Sequence, residues 1–206
     1  MRFYSSKVNP LEERTIMMRI ITGSARGARL ETLNGEEITR PTPERIKEAV
    51  FNMLAFDLEG RRVLDLFAGS GQMGLEALSR GAASAVLCDS NRQAVEVVKR
   101  NAQKTKLLSQ TRIVNSDYKA FIRSAEGKEQ FDIIILDPPY ASNMVQDAID
   151  RILRAGIASE RAIFVCESDK SEPFKGEGLT LHRHNRYGRI YVTVLLRGEE
   201  SEEDAE

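Results

Sequence analysis

The stretch Val63-Leu64-Asp65-Leu66-Phe67-Ala68-Gly69-Ser70-Gly71-Gln72-Met73-Gly74 carries an apolar strand into a glycine-rich turn and then into a helix. Gly69, Gly71 and Gly74 match G-x-G-x-x-G, a pattern that alone also suits a dinucleotide. Glycines at such a turn let backbone N–H groups approach a ligand at the carboxyl end of the strand, as any adenosine-type cofactor requires. Asp65 tips the choice of cofactor. Its carboxylate, inside the strand, would repel a pyrophosphate and attract the amine and sulfonium of S-adenosylmethionine.

Downstream, strand-like and helix-like segments alternate. Gly81 ends the helix that follows the glycine turn, and Ala85-Val86-Leu87-Cys88-Asp89 reads as a second strand whose terminal acid is placed for ribose hydroxyls. A helix over 91–104 leads to Arg112-Ile113-Val114, with Ser116 and Asp117 at that strand's end, positioned for an adenine edge; Asp117 equally suits the N-cap of a helix over 118–125. The fourth strand, Phe131-Asp132-Ile133-Ile134-Ile135-Leu136, runs into Asp137-Pro138-Pro139-Tyr140. The prolines restrict this tetrapeptide, which offers acceptors for a base amine and a ring for stacking. Its bland reading is a Pro-rich turn with a core tyrosine. A helix over 145–155, a fifth strand over 162–166, and a hairpin pairing 179–181 with 190–195 around Tyr187-Gly188 complete the pattern.

Such alternation predicts a mostly parallel sheet with helices on both faces. Right-handed crossovers give the order 3-2-1-4-5, with the hairpin added at the fifth-strand edge. The glycine turn and the Asp-Pro-Pro-Tyr segment then meet at the switch point, where ligands bind in open α/β sheets.

Composition is that of a globular chain: 206 residues, 41% hydrophobic and 30% charged. No apolar run is long enough to cross a bilayer. Residues 1–17 hold Glu12 and Glu13 and no long apolar core, so they read as a flexible extension instead of a targeting peptide. Cys88 and Cys166, far apart in strand-like segments, read as buried free thiols of a reducing cytoplasm. Residues 198–206 form a tail with six acidic and no basic residues, expected to be disordered; without it, 25 acidic residues face 30 basic ones.

The first fifty residues offer a basic patch of Arg19, Arg26, Arg29, Arg40, Arg45 and Lys47, suited to phosphates. Thr42 suits an N-cap and Pro43 a first helical position. Ile46, Val50, Met53 and Leu54 then share one helix face, with Arg45 and Glu48 outward. Ordinary solvated charges around a small hairpin and helix would look the same.

Taken together, Arg40-Pro41-Thr42, Asp65-Leu66-Phe67-Ala68-Gly69-Ser70-Gly71, Leu75-Glu76-Ala77-Leu78-Ser79-Arg80-Gly81-Ala82 and Asp137-Pro138-Pro139-Tyr140 resemble the RsmD-type bacterial 16S rRNA (guanine-N2)-methyltransferases, over about residues 18–197. The resemblance implies an α/β, class I methyltransferase (Rossmann-like) fold: a mostly parallel seven-stranded sheet with a C-terminal antiparallel hairpin and a small N-terminal hairpin and helix. It implies an N-terminal RNA-binding segment over 18–58 and an S-adenosylmethionine-dependent methyltransferase domain over 59–197. By that resemblance Asp137, Pro138, Pro139 and Tyr140 become catalytic, and Asp65, Gly69, Gly71, Asp89 and Asp117 fall at cofactor positions; the residues' own pattern adds Phe67, Ala68 and Ser116 to the cofactor site and assigns Arg19, Arg26, Arg40, Arg45 and Lys47 to RNA. The partner is 16S rRNA or the assembling small subunit, with a cytoplasmic monomer and neither membrane nor metal. One position departs: Asp89 stands where the family often has Glu, a shorter reach to the ribose.

Three other readings compete. A DNA or RNA adenine-N6 methyltransferase shares the Asp-Pro-Pro-Tyr chemistry, although a DNA enzyme normally adds a target-recognition segment for which this length leaves little room. A nicotinamide oxidoreductase lacks an evident hydride-transfer acid or base. A non-catalytic RNA-binding module has no need of Asp65 together with Asp137. His182 and His184 lack the partners of a metal site and read as surface histidines.

Overall fold

The computed structural model of the chain describes residues 18–33, 43–139 and 143–198. The expected N-terminal extension, Arg40, the Thr42 cap, Tyr140 and residues 199–206 of the acidic tail lie outside the described residues.

Seven strands form one sheet: β3 (Arg62–Asp65), β4 (Ser84–Asp89), β5 (Thr111–Asn115), β6 (Phe131–Leu136), β7 (Ala158–Ser168), β8 (Leu179–Tyr187) and β9 (Ile190–Arg197). Their spatial order is β5-β4-β3-β6-β7-β9-β8, the order expected from right-handed crossovers with the hairpin at the β7 edge. β5 through β7 run parallel, whereas β9 pairs antiparallel with both β7 and β8. A separate antiparallel pair of two-residue strands, β1 (Met18–Arg19) and β2 (Arg29–Leu30), precedes the sheet.

Among the described residues, five α-helices cover the two faces: α1 (Glu44–Met53), α2 (Gln72–Ser79), α3 (Arg92–Lys104), α4 (Tyr118–Ala125) and α5 (Met144–Arg154). On one face, Ile46, Val50 and Phe51 of α1, Leu75 and Leu78 of α2, and Val98 of α3 pack with Val63, Ile133, Val165 and Val192. On the other, Phe121 of α4 and Ile149 of α5 pack with Leu64, Ile134 and Phe164. Period-two alternation along the central strands divides the side chains between these faces.

Most elements shift by a residue or two from their expected extents, and three of these differences have a clear cause. α1 starts at Glu44, with Pro43 extended (φ −55°, ψ 140°) as the flanking residue, one position later than expected. β7 begins at Ala158, because Phe131 pairs with Ala158 before an irregularity in the β6 register. β8 continues past Leu181 to Tyr187. Its polar residues fit because an edge strand of this kind keeps one side in water.

Candidate active site

The tips of β3 and β6 lie side by side. Val63, Leu64 and Asp65 pair in parallel with Ile133, Ile134 and Ile135, so Asp65 and Asp137 emerge at one edge of the sheet. β4 delivers Asp89 to the same edge, since Asp65 also pairs with Leu87. Alternation puts Asp65, Asp89 and Asp137 on the face covered by α1, α2 and α3.

Asp65 is 2% exposed and accepts a hydrogen bond from Gly74 N–H (3.0 Å). Burial, followed by the neighbouring Asp137 and Asp89 charges, pushes its carboxyl up to about 7, against the lowering effect of the Gly74 amide. Such crowding of carboxylates stabilises a bound cation and disfavours a phosphate. The residues present therefore fit the cationic methionine end of S-adenosylmethionine.

The glycine turn has its own reasons. Gly71 adopts φ +79°, a left-handed conformation that suits glycine, and a Cβ on it would press on Val98 and Leu87 at 3.3–3.4 Å. A Cβ on Gly74 would meet Leu87 Cδ2 at 2.0 Å, so α2 lies close against the sheet only because glycine stands there. Asp89 accepts from Gly69 N–H and Asn91 N–H, each at 2.8 Å, which ties the turn to the tip of β4. Ala68 is buried; Phe67, partly exposed, has its ring 5.4 Å from that of Tyr118. At the end of β5, Asp117 accepts from Lys119 N–H and Ala120 N–H as the N-cap of α4, and the Ser116 hydroxyl donates to the Asp117 carbonyl. Capping leaves Asp117 exposed, so both roles read from the sequence remain available to it.

Asp137 is half-buried, Pro138 buried and Pro139 exposed. One β7 residue escaped the sequence reading. Glu167, 2% exposed, follows Cys166, which pairs with Leu136, so a fourth carboxylate stands level with Asp137. A strand closing on an acid was the available signal, as at Asp65, Asp89 and Asp137.

Among the described residues the basic patch holds only in part: Arg19 stands opposite Arg29 in the β1–β2 pair, but Lys47 leaves the surface. Lys47 is a correction: it is 1% exposed, with Nζ donating to the Arg19 carbonyl (2.5 Å) and facing Glu76 Oε2 at 3.2 Å. Burial depresses its pKa while Glu76 raises it; an ammonium so enclosed cannot reach a phosphate. Arg19 is exposed and paired with Glu44 at 2.6 Å. Arg26 and Arg29 are exposed, but the turn carrying Arg26 docks through Ser24 N–H on the Ser79 carbonyl, at the end of α2 remote from the glycine turn. Arg45 is exposed at the start of α1, which faces the site edge.

What positions these elements was also not evident from the sequence. Glu76, fully buried, accepts from Ile21 N–H, Thr22 N–H and Arg80 Nε. Asn101 donates to the carbonyls of Ser70 (2.9 Å) and Glu31 (3.0 Å) and accepts from Glu31 N–H (2.8 Å), clasping the glycine turn to the N-terminal segment. Cys88 and Cys166 are buried free thiols, and burial lifts Cys88 to about 12. His184 bonds Thr193 Oγ1 and the Ser171 carbonyl, both at 2.9 Å, and His182 is exposed. Among the described residues no cluster of His, Cys, Asp or Glu is arranged to hold a metal, and no helix is long and apolar enough to cross a membrane.

A family model described as Conserved hypothetical protein 95 matches residues 18–196. The chain belongs to this family. Among its relatives is the Ribosomal RNA small subunit methyltransferase D of Escherichia coli K12, 32% identical over 191 residues, which cover 92% of this chain and 94% of that one. The protein of the same name from Haemophilus influenzae is 34% identical over 157 residues, 76% of this chain and 81% of the relative. The solved structure of the Escherichia coli protein yhhF matches with a TM-score of 0.80 at 32% identity, covering 89% of this chain and 99% of that one. These relatives bear out the resemblance drawn from the motifs, and the fold is the class I methyltransferase fold.

Proposed function

We propose that this chain transfers the methyl group of S-adenosylmethionine to the exocyclic N2 amine of one guanine in small-subunit (16S) rRNA. The adjacency of the β3 and β6 tips at one sheet edge carries the reading, because it lets a donor held over β3 and β4 meet a base held at Asp137. Kinship with relatives named small-subunit rRNA methyltransferases supports the acceptor.

S-adenosylmethionine, when bound, supplies an electrophilic methyl group on a sulfonium. Asp65 faces the cationic methionine end, the turn at Gly69 and Gly71 lets the backbone approach, Asp89 takes the ribose hydroxyls, and Ser116 with Asp117 meets the adenine edge. The guanine amine is a poor nucleophile because its lone pair is shared with the ring. The Asp137 carboxylate and the Pro138 carbonyl accept its two N–H groups and draw the nitrogen toward a geometry that can attack. Tyr140, outside the described residues, stacks on the base, which must leave any helix it occupies. The acceleration comes mainly from orientation and electrostatic complementarity. Asp137 takes the surplus proton after transfer, when the nitrogen is cationic and an ordinary carboxylate is basic enough.

Methyl transfer to 16S rRNA, followed by nucleoside mass spectrometry, tests this reading. The expected product is N2-methylguanosine; N6-methyladenosine, or methylation of DNA in place of RNA, overturns it. Asp137→Ala is expected to abolish transfer and leave donor binding within about threefold by calorimetry, a difference well under 1 kcal/mol. Equal loss of both would remove Asp137 from its assigned role. Tyr140→Phe should keep more activity than Tyr140→Ala, and equal defects would argue against stacking.

A further inference from the structure

The cofactor positions lie on the tips of β3, β4 and β5, so the acceptor base enters from the other half of the edge, over β6 and β7. That half continues onto the turn of the last hairpin. β9 runs antiparallel to β7, with Tyr191 opposite Ser168 and Val192 opposite Glu167, so the β8–β9 turn rises beside the tip of β7 at the site edge. At the usual strand spacing, β9 and β8 lie about 10 and 14 Å from β6. Nucleotides flanking a base held at Asp137 reach across this distance.

The hairpin has the chemistry of a backbone-binding surface. No acidic residue occurs between Glu177 and Glu199, an interval containing Arg183, Arg186, Arg189 and Arg197. Arg183, Arg186 and Arg189 are exposed, and among the described residues none of these three makes an ion pair. Arg19, Arg100 and Arg112, also exposed, are by contrast neutralised by Glu44, Glu31 and Glu129. Side-chain contacts also hold the Arg186 guanidinium in place on the turn. Arg186 Nε donates to the Gly188 carbonyl (2.8 Å) and its guanidinium lies over Tyr191 (5.7 Å), whose ring stacks on His184 at 5.4 Å. Arg45 joins from α1: a Cβ on Gly188 would stand 3.6 Å from its Nη2. Asp169 and Glu172, in the segment after β7, are exposed acids of the same edge.

We infer that the β8–β9 turn, with the first turn of α1, grips the phosphate backbone of the acceptor RNA on the far side of the target base, through Arg186, Arg189 and Arg45. Pre-positioned guanidinium groups suit phosphate oxygens, and phosphate contacts fix register without reading sequence. The inference rests on the rRNA reading above and places the RNA contact on the C-terminal hairpin, away from Arg26 and Arg29.

The test compares wild type with R186A/R189A, using 16S transcript and small subunits lacking the modification as acceptors. RNA affinity is measured against salt, methyl transfer by kinetics, and S-adenosylmethionine binding by calorimetry. The double variant is expected to raise the RNA KM and Kd about tenfold or more and to flatten the salt dependence by roughly one to two ions. Donor affinity should stay unchanged, and R186K/R189K should keep most of the binding. The matched pair K128A/R154A, two exposed residues at the opposite edge, should behave as wild type. A double variant with wild-type RNA binding or an unchanged salt slope overturns the inference, as does equal loss in K128A/R154A. If wild type methylates neither acceptor, the proposed function has failed and this inference falls with it; an active wild type with an unaffected double variant removes the inference alone.

Discussion

Asp65 must surrender a proton to become the anion that a sulfonium and an ammonium attract. Burial beside Asp137 and Asp89 holds its carboxyl at about 7 against an ordinary 3.8. Between those values the folded protein keeps a proton that the unfolded chain has released, so this group lowers stability as pH rises through the interval. A bound cation favours the ionised form, so on the proposed reading, with the donor's cationic end against Asp65, donor binding would expel the proton. Binding of S-adenosylmethionine should therefore tighten as pH rises from about 5.5 to 7.5, with proton release seen by calorimetry in buffers of different ionisation enthalpy. Asp65→Asn should flatten that profile; a wild-type affinity independent of pH would contradict it. The carboxylate was legible in the sequence because a strand ending in an acid before a glycine turn has few other uses. Lys47 was not. A lysine among Arg45 and Glu48 reads as outward, and its burial depends on Glu76 arriving from another helix at 3.2 Å. Lys47→Met, which leaves Glu76 with three other donors, should cost about 2–4 kcal/mol in urea unfolding.

Docking of the small β1–β2 unit is decided at the level of elements. Gly23, at φ +88°, brings the turn so close to α2 that a Cβ would lie 1.7 Å from the Ser79 carbonyl oxygen. Ser79 Oγ meanwhile donates to the Thr22 carbonyl (2.6 Å) and accepts from Ala25 N–H (2.9 Å). Gly23→Ala combines left-handed strain with loss of these bonds and should cost roughly 2–4 kcal/mol, read from denaturant midpoints. Gly27→Ala, with φ +81° and nothing within 4 Å of the added Cβ, should show the strain alone and a smaller loss. Central elements were legible because both their faces are buried and apolar. β8 was legible only in its first residues, since an edge strand is held by its ladder while His182, Arg183 and Arg186 face water.

Across the whole molecule, residues 18–58 and the sheet share one core: Met18, Ile20, Leu30, Phe51 and Leu58 join Val63, Ile133 and Val194 in a single cluster. Deleting 18–58 should therefore expose the α1 face of the sheet and yield aggregated protein, and the intact chain should unfold in one transition by near- and far-ultraviolet dichroism alike. Two separated transitions would show that the segment folds apart. Alternating periods and glycine and proline signals along the sequence determined the strand order, the site edge and the acids at its tips, because each depends on local pattern and on the fixed hand of the crossover. Only the tertiary structure decided which charges are buried and which face solvent. Lys47 is enclosed, Glu76 becomes an anchor, and Arg186 and Arg189 crown the site edge, because each outcome depends on partners far away in the chain that folding alone brings together.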